Sequence, residues 1–242
     1  MTSNKFCDSI IEHANSSPEK EVCGFVILSD DLIAYSEKAI NENPKPEDSF
    51  SISPAKFLSY KLNKNILGIY HSHTREDEFP SEHDKASAKA TGLPYLIYSL
   101  KTKRFFLYYP ESYDPDNLLG RPYIKGFYEC TCILKDYFIS NLDNNITTWN
   151  ENYWLPESDE TANKLLTNIL NKNLIQLKKQ DNIQKHDVIV FELKQNKRFH
   201  VGIYLGNDYF VHQPMHGLSC NQLFDERWQS KVKRVYRHHS LV

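Results

Sequence analysis

The stretch ILGIYHSHTREDEFPSEHD, residues 66–84, decides the fold expected for the first half of this chain. Its first part predicts a strand with His71 and His73 on one face, because side chains along a strand alternate with period two. A proline and a serine then precede good helix formers at 82–90, so we expect Asp84 in the first turn of a helix. Both imidazoles and the carboxylate can therefore reach one ion.

The residue types in this stretch favour a zinc site. Two histidines and one carboxylate leave the fourth tetrahedral position open for water, which is typical of a catalytic rather than a structural site. The segment from Ser81 to Asp84 is also an ordinary capping-box sequence, and histidine pairs are common on protein surfaces. Because the two histidines, the serine and the aspartate occur together in this spacing, we favour a metal site over these more common interpretations.

Length and composition exclude several classes of protein. With 242 residues and 40% hydrophobic side chains, the chain can bury one large core or two small ones. The formal net charge of -2 argues against a nucleic-acid or membrane-surface binder. Five cysteines without regular spacing indicate a reducing compartment rather than a disulfide framework. We expect no signal peptide and no membrane span, because no apolar run has the required length and flanks.

Helices and strands are expected to follow one another along the first half. Hydrophobic spacing predicts helices at 4–15 and from position 53 onward, the second with Phe57, Leu58 and Leu62 on its core side. Apolar runs predict further strands at 22–28, 32–35, 94–100 and 104–109. This order is typical of an α+β or three-layer sandwich protein.

A polar segment with two prolines, 110–117, interrupts every periodicity and is a candidate domain boundary. Beyond it, the patterns predict helices at 130–138 and 161–179, strands at 187–193, 200–205, 209–213 and 232–237, and a hairpin turn at 206–208. The predicted fold class is therefore α+β with two domains, residues 1–112 and 113–242.

Glu21, at the entrance of the first predicted strand, completes a known pattern. Together with His71, His73, Ser81 and Asp84 it matches a glutamate followed by H-x-H-x7-S-x2-D. This set resembles the JAMM (MPN+) metalloproteases. The resemblance implies a cytidine-deaminase-like α/β sandwich that hydrolyses peptide or isopeptide bonds.

The same resemblance implies a role for each residue. His71, His73 and Asp84 would bind Zn²⁺, Glu21 would be the general base for a water molecule, and Ser81 would help to hold the oxyanion. These roles agree with the chemistry, because zinc lowers the pKa of its water to about 7 and a carboxylate can then complete the deprotonation.

Cys130 is the candidate nucleophile of the second half. At the N-terminus of a predicted helix it would lie at the positive end of the helix dipole, which is expected to lower the pKa of its thiol. His200 alternates along its strand with Val201 and Ile203, so the apolar side chains can face the core while His200 faces the end of the helix. A hairpin then returns His212, whose ring can fix the tautomer of His200.

These residues resemble the NlpC-type peptidases, papain-like enzymes of bacterial cell-wall turnover. The matching segments are Glu129-Cys130 at the helix start, H-D-V at 186–188, H-V-G-I-Y-L-G at 200–206, and His212. The resemblance implies a cysteine endopeptidase that uses Cys130, His200 and His212. His186 stands where the family usually has glycine.

Other cysteines and histidines leave alternatives open. Cys132 is a rival nucleophile, although it lies off the apolar stripe of its helix and lacks a preceding acidic residue. His216 competes with His212 for the third position. The remaining cysteines are interpreted as small buried hydrophobes: Cys7, Cys23 and Cys220.

The order of the two domains is more specific than either motif. A JAMM domain followed directly by an NlpC-type domain resembles the tail-tip assembly proteins (type K) of long-tailed phages. This resemblance implies a protein of the virion tail tip, or of the host cytoplasm during assembly, with other tail-tip proteins as partners. Its cysteine domain would cut peptidoglycan peptides at the host cell wall during entry, and its metal domain would process a tail protein, one candidate having a ubiquitin-like fold.

Two further hypotheses stay open at this point. The chain could be a bacterial deconjugase for ubiquitin-like modifiers, with the NlpC half as an accessory hydrolase. It could also be a structural tail scaffold in which the active sites have decayed.

Overall fold

The computed structural model describes residues 5–115, 117–142, 159–178, 182–193 and 198–242. It divides into two compact units, Met1–Asp114 and Pro115–Val242. The domain limits expected from the sequence fall beside this division and stay a prediction. Within the described ranges, no helix combines the length and the apolar character needed to cross a membrane.

The first unit contains one mixed sheet and three helices. In chain order the elements are α1 (Lys5–Asn15), β1 (Cys23–Leu28), β2 (Ala34–Ala39), α2 (Pro54–Asn63), β3 (Asn65–His73), α3 (Glu82–Thr91), β4 (Tyr95–Ser99) and β5 (Phe105–Tyr108). The sheet order is β2-β1-β3-β4-β5, in which β3 and β4 are parallel and the other neighbours antiparallel.

The central strand β3 determines where the first candidate site lies. It is buried from Leu67 to His73, as expected for a strand covered on both faces. On one face Ile69 packs in a core with Phe25, Tyr60 and Ala88, so α2 and α3 both cover this face. The helix predicted at 82–90 is confirmed as α3, and it approaches the end of β3.

The buried face of α2 differs from the prediction, although the helix itself is confirmed. Leu58 and Leu62 are 56% and 74% exposed, whereas Tyr60 is buried and stacks on Phe25 with ring centroids 4.6 Å apart. The Tyr60 hydroxyl donates a hydrogen bond to Glu37. An aromatic ring with a satisfied polar end thus takes the core position that the sequence pattern assigned to the leucines.

The strand predicted at 32–35 is shifted toward the C-terminus. Leu32 has a φ of 61° and lies in the turn that follows β1. The strand runs over Ala34–Ala39 and is mostly half-buried, because it is the edge strand of the sheet. Its sequence contains polar residues and lacks the apolar run that would indicate a strand.

The second unit is built on an antiparallel sheet. Its elements are α4 (Cys130–Asn141), α5 (Asp159–Asn173), β6 (Leu174–Gln176), β7 (Val188–Glu192), β8 (Phe199–Gly206), β9 (Tyr209–His212), β10 (Cys220–Leu223), α6 (Glu226–Gln229) and β11 (Val232–His238), followed by a 3₁₀ turn at His239–Leu241. The strand order is β10-β9-β8-β7-β11-β6. The predicted α+β fold class with two domains is confirmed.

Alternation along β8 sends its side chains to two different cores. Val201 and Ile203 pack with α4 and α5, in a cluster that also contains Leu134 and Leu170. The opposite face carries a second, mainly aromatic cluster of buried residues: Ile189, Phe191, Phe210 and Phe224. Both faces of this sheet are therefore covered.

The helix predicted at 161–179 ends earlier than expected. It stops at Asn173, and Leu174 begins the short strand β6, which pairs with β11. The predicted end at position 179 lies outside the described residues. Leu174, which continues the helical period, belongs to the strand instead, because a hydrophobic position can be buried by either element.

The hairpin predicted at 206–208 is confirmed. Gly206, Asn207 and Asp208 all have positive φ, at 87°, 51° and 59°. Asn and Asp tolerate the left-handed conformation better than most residues, which is why they are common in tight hairpin turns. This turn aligns β9 with β8 so that His212 lies opposite Gly202.

Candidate functional sites

His71, His73 and Asp84 form a compact buried group at the end of β3. Their ligand atoms all lie within 4.8 Å of one another. His71 Nε2 is 3.2 Å from His73 Nε2 and 3.2 Å from Asp84 Oδ1, and His73 Nε2 is 3.4 Å from Asp84 Oδ2. The three residues therefore form a group that could bind a metal ion.

The start of α3 holds Asp84 in this position. Ser81 is the N-cap residue, and its Oγ accepts a hydrogen bond from the Asp84 amide at 3.1 Å. In return, the Asp84 carboxylate accepts hydrogen bonds from the Ser81 amide and hydroxyl at 2.8 and 2.6 Å. The capping box and the metal-site arrangement are thus both present, because one carboxylate caps the helix and faces the histidines.

A loop carbonyl fixes the orientation of His73. Its Nδ1 lies 2.6 Å from the carbonyl oxygen of Asp77, which can only accept a hydrogen bond, so Nδ1 carries a proton. Nε2 then points at His71 and Asp84, where it can donate a hydrogen bond to the carboxylate or, when unprotonated, bind a metal ion. This arrangement is typical of metal-bound histidines, whose second nitrogen is held by an outer hydrogen bond.

The electrostatics of the group fit a cation. Burial raises the pKa of Asp84, but hydrogen bonds from His71 and His73 outweigh this, and the net pKa is lowered. Burial lowers the pKa of His71, with opposition from Asp84. Burial lowers the pKa of His73, but the hydrogen bonds to Asp84 and to the Asp77 carbonyl outweigh this, and the net pKa is raised. Two imidazole nitrogens and a carboxylate are also a suitable donor set for zinc.

Glu21 is buried just before β1 and is electrostatically coupled to this group. Burial raises its pKa to about 8, with opposing effects from His73, which lowers it, and Asp84, which raises it. A carboxyl group with such a pKa can exchange a proton near neutral pH. Ser81 is exposed, with its Oγ directed at Asp84.

His200 and His212 form the centre of the second candidate site. His200 Nε2 lies 2.8 Å from His212 Nδ1, and both side chains are buried. Trp228 lies against both rings, at centroid distances of 6.3 Å from His200 and 5.2 Å from His212. Burial lowers the pKa of His200 to about 3 and that of His212 to about 4, so both rings are neutral at pH 7.

Cys130 is the first residue of α4, as the sequence predicted, but the pKa expectation was wrong. Burial, and then the neighbouring Glu129, raise the pKa of the Cys130 thiol to about 12. A hydrogen bond from the Val201 backbone acts in the opposite direction and is weaker. Loss of hydration thus outweighs the helix dipole, and the free thiol needs a base to become nucleophilic.

Cys130 lies beside β8, the strand that holds His200, but the two side chains do not meet. Cys130 packs against the core that contains Val201. His200 points to the other face, where it stacks on Phe191. Among the described residues, no hydrogen bond connects the Cys130 sulfur to His200. The expectation that the His200 side chain faces the helix is therefore wrong, because Val201 and Ile203 face α4 and His200 lies on the other side of the strand.

The other thiols of this unit differ in their surroundings. Cys132 is buried and donates to the Gly126 carbonyl at 3.1 Å. Cys220 was interpreted as a buried hydrophobe, but it is half-buried and its sulfur lies 3.7 Å from His212 Nε2. No local sequence pattern predicts this contact, because it arises from the pairing of β10 with β9.

Each half of the chain matches a known protein family. The family model for prokaryotic homologs of the JAB domain matches residues 3–109, and the model of the NlpC/P60 family matches residues 120–237. A desampylase of Haloferax volcanii is 29% identical over 103 residues, which cover 38% of this chain and 74% of that protein. The solved structure of a JAB1/MPN domain protein from Archaeoglobus fulgidus has a TM-score of 0.31 at 18% identity, over 44% of this chain and 85% of that one.

One relative extends over almost the whole chain. Tail tip assembly protein K of Escherichia phage N15 is 24% identical over 234 residues, which cover 97% of this chain and 94% of that protein. The two domain models match in the same order as the two compact units. This chain is therefore a homologue of tail tip assembly protein K, with a Prok-JAB domain in its first half and an NlpC/P60 domain in its second.

Proposed function

We propose that this protein is a phage tail-tip assembly protein with two hydrolytic domains. The JAB domain would be a zinc peptidase or isopeptidase that processes a tail protein, and the NlpC/P60 domain a cysteine endopeptidase that cleaves peptidoglycan peptides during entry. The similarity to the phage N15 protein along nearly the whole chain supports the tail-tip assignment. The virion would bring the enzyme to the host cell wall, and other tail-tip proteins would be its partners.

In the JAB domain, His71, His73 and Asp84 would hold the zinc ion. When bound, zinc supplies Lewis acidity, which makes water more acidic and a carbonyl carbon more electrophilic. Glu21 would take a proton from the attacking water and return it to the leaving amine, for which a raised pKa is suitable. Ser81 would turn its hydroxyl from Asp84 toward the oxyanion and donate a hydrogen bond to it.

In the NlpC/P60 domain, His200 would activate Cys130 after a change in side-chain position, because the two side chains lie on different faces of β8 in the structure. A neutral His200 takes the thiol proton, the sulfur attacks the peptide carbonyl, and the proton passes to the leaving amine. The acyl group then leaves Cys130 by hydrolysis. His212 would hold the ring of His200 through their 2.8 Å hydrogen bond, and the lowered pKa of both rings keeps His200 ready to accept a proton.

Metal content tests the first half of this proposal. We expect purified protein to contain close to one equivalent of zinc by mass spectrometry of the metal, and His71→Ala to lose most of it, because two ligands hold zinc poorly. His83→Ala is the matched control, since His83 is an exposed histidine on α3 and should leave the metal content unchanged. Zinc-free wild type, or equal zinc in His71→Ala, would contradict the metal site.

Peptidoglycan digestion tests the second half. We expect wild-type protein to release peptide-cleaved fragments from purified peptidoglycan, as detected by mass spectrometry, and Cys130→Ala to lose this activity by at least about a hundredfold. Cys132→Ala should retain activity if it folds, because its sulfur is bonded to the Gly126 carbonyl. An active Cys130→Ala together with an inactive Cys132→Ala would transfer the nucleophile to Cys132.

A deconjugase is the second candidate function, supported by the 29% identity with a desampylase. It predicts cleavage of isopeptide-linked ubiquitin-like conjugates that is lost in His71→Ala, without any need for peptidoglycan cleavage. A scaffold with decayed sites predicts that the double variant His71→Ala, Cys130→Ala still supports tail assembly. These three outcomes can be distinguished with the same set of variants.

A further inference from the structure

The contact between Cys220 and His212 has a consequence for the proposed cysteine peptidase. β10 pairs antiparallel with β9, and the register puts Cys220 opposite His212. The Cys220 sulfur lies 3.7 Å from Nε2 of His212, while Nδ1 of the same ring bonds to Nε2 of His200. Three side chains thus form a chain of contacts from the edge of the sheet to His200.

The ring protons of His200 and His212 can be arranged in two orders along these contacts, and the order decides whether His200 can act as a base. Both rings are neutral, so each carries one N–H. In the first order, His200 donates from Nε2 to His212, and His212 donates from its own Nε2 toward Cys220. Nδ1 of His200 is then an unprotonated base. In the second order the protons are reversed, and Nδ1 of His200 carries a proton that prevents it from accepting another.

Hydrogen-bond satisfaction favours the first order. It gives each ring N–H a partner, and only the weak thiol donor of Cys220 and one acceptor nitrogen stay unpaired. In the second order, the Nδ1–H of His200 has no partner among the described residues and must bond to solvent. The first order keeps both ring N–H groups bonded within the protein and does not require the thiol, a poor donor, to donate.

We infer that Cys220 is a positioning residue of the peptidase site. Its sulfur accepts the Nε2–H of His212 and thereby keeps the histidine pair in the order that leaves Nδ1 of His200 free. This inference rests on the proposed cysteine peptidase function. Cys220 acts through His212 and does not itself attack the substrate.

A nucleophilic role for Cys220 is the rival interpretation of the same contact. His212 is its only hydrogen-bond partner among the described residues, and that ring is already bonded to His200. Burial raises the pKa of the Cys220 thiol, and the residue lies on a strand with no helix N-terminus to offset this effect. These features suit a hydrogen-bond acceptor better than a nucleophile.

Nitrogen NMR of the imidazole rings in the full-length protein tests the inference without any need for activity. We expect protons on Nε2 of both His200 and His212 in wild type. Cys220→Ser keeps an acceptor and should keep this pattern, whereas Cys220→Ala should give a mixture of tautomers. Asn221→Ala is the matched control, because Asn221 is exposed and adjacent on β10. A proton on Nδ1 of His212 in wild type would overturn the inference.

Kinetics supply the second measurement. In Cys220→Ala we expect kcat to fall about five- to tenfold with KM unchanged, which is the scale of one weak hydrogen bond that orients a base. Cys220→Ser should recover most of this loss. If iodoacetamide labels Cys220 in preference to Cys130, and Cys220→Ser is inactive, Cys220 is the nucleophile and the inference is wrong. If wild type is inactive on peptidoglycan, the proposed function fails, and the NMR pattern still decides the role of Cys220.

Discussion

His186 has a φ of 78°, a left-handed conformation that suits glycine far better than a residue with a Cβ atom. Histidine occupies this position in place of the glycine usual in NlpC-type peptidases. The imidazole ring forms a hydrogen bond, because its Nδ1 lies 2.8 Å from the Tyr137 hydroxyl on α4. One hydrogen bond between a loop and a helix thus offsets part of the strain at this residue.

Substitutions of His186 should separate strain from hydrogen bonding. Both His186→Ala and His186→Gly lose the bond to Tyr137, but only glycine relieves the strained φ. We expect the glycine variant to be more stable than the alanine variant by about 1 kcal/mol in urea unfolding. At Lys185, which has no positive φ, the order should reverse. An alanine variant at position 186 that is as stable as the glycine variant would contradict the strain.

A buried ion pair joins two elements of the second unit. Asp187, just before β7, is fully buried, and its two carboxylate oxygens accept hydrogen bonds from Nε and Nη2 of Arg237 on β11, each at 2.8 Å. The Gln184 amide also donates to this carboxylate at 2.7 Å. The aspartate of the H-D-V segment therefore connects strands, and nothing in its contacts indicates a catalytic role.

Removal of Arg237 should destabilise the sheet. Arg237→Leu leaves the Asp187 charge buried without its bidentate partner, and we expect a loss of about 3–5 kcal/mol in the free energy of unfolding. Arg227→Leu is the matched control, because Arg227 pairs with Asp225 while 80% of its side chain is exposed. There we expect a change below about 1 kcal/mol. Equal losses in the two variants by urea unfolding would argue against the buried pair.

At the scale of the whole molecule, the buried histidine pair makes stability dependent on pH. The folded state lowers the pKa of His200 and His212 from 6.5 to about 3 and about 4. The unfolded chain therefore binds more protons than the folded chain in this range. The stability contributed by the neutral pair is complete above about pH 6.5 and is lost as the pH falls toward 4.

Unfolding at two pH values measures this effect. We expect the free energy of unfolding to fall by at least about 2 kcal/mol between pH 7 and pH 5, as followed by circular dichroism in urea. The double variant His200→Gln, His212→Gln should lose most of this difference, provided that it folds at pH 7. If the variant keeps the full pH dependence, the effect belongs to other groups.

The sequence predicted the elements that its periodicity and turn residues describe. It predicted β3 and α3 around His71, His73 and Asp84, the helix that begins at Cys130, and the hairpin after His200, because side-chain alternation, a serine N-cap and an Asn-Asp turn are local signals. It did not predict β10 or the exposed face of α2, because pairing partners and competition for the core are not local.

How the chemical groups meet depends on the tertiary structure. The register of β9 and β10 brought Cys220 to His212. The packing of α4 removed water from the half-buried Cys130, so that the pKa of its thiol rises to about 12 instead of falling. The loop after β3 supplied the Asp77 carbonyl that orients His73. Contacts between residues distant in sequence, and the hydration lost when they pack, depend on the whole fold and leave no local signal.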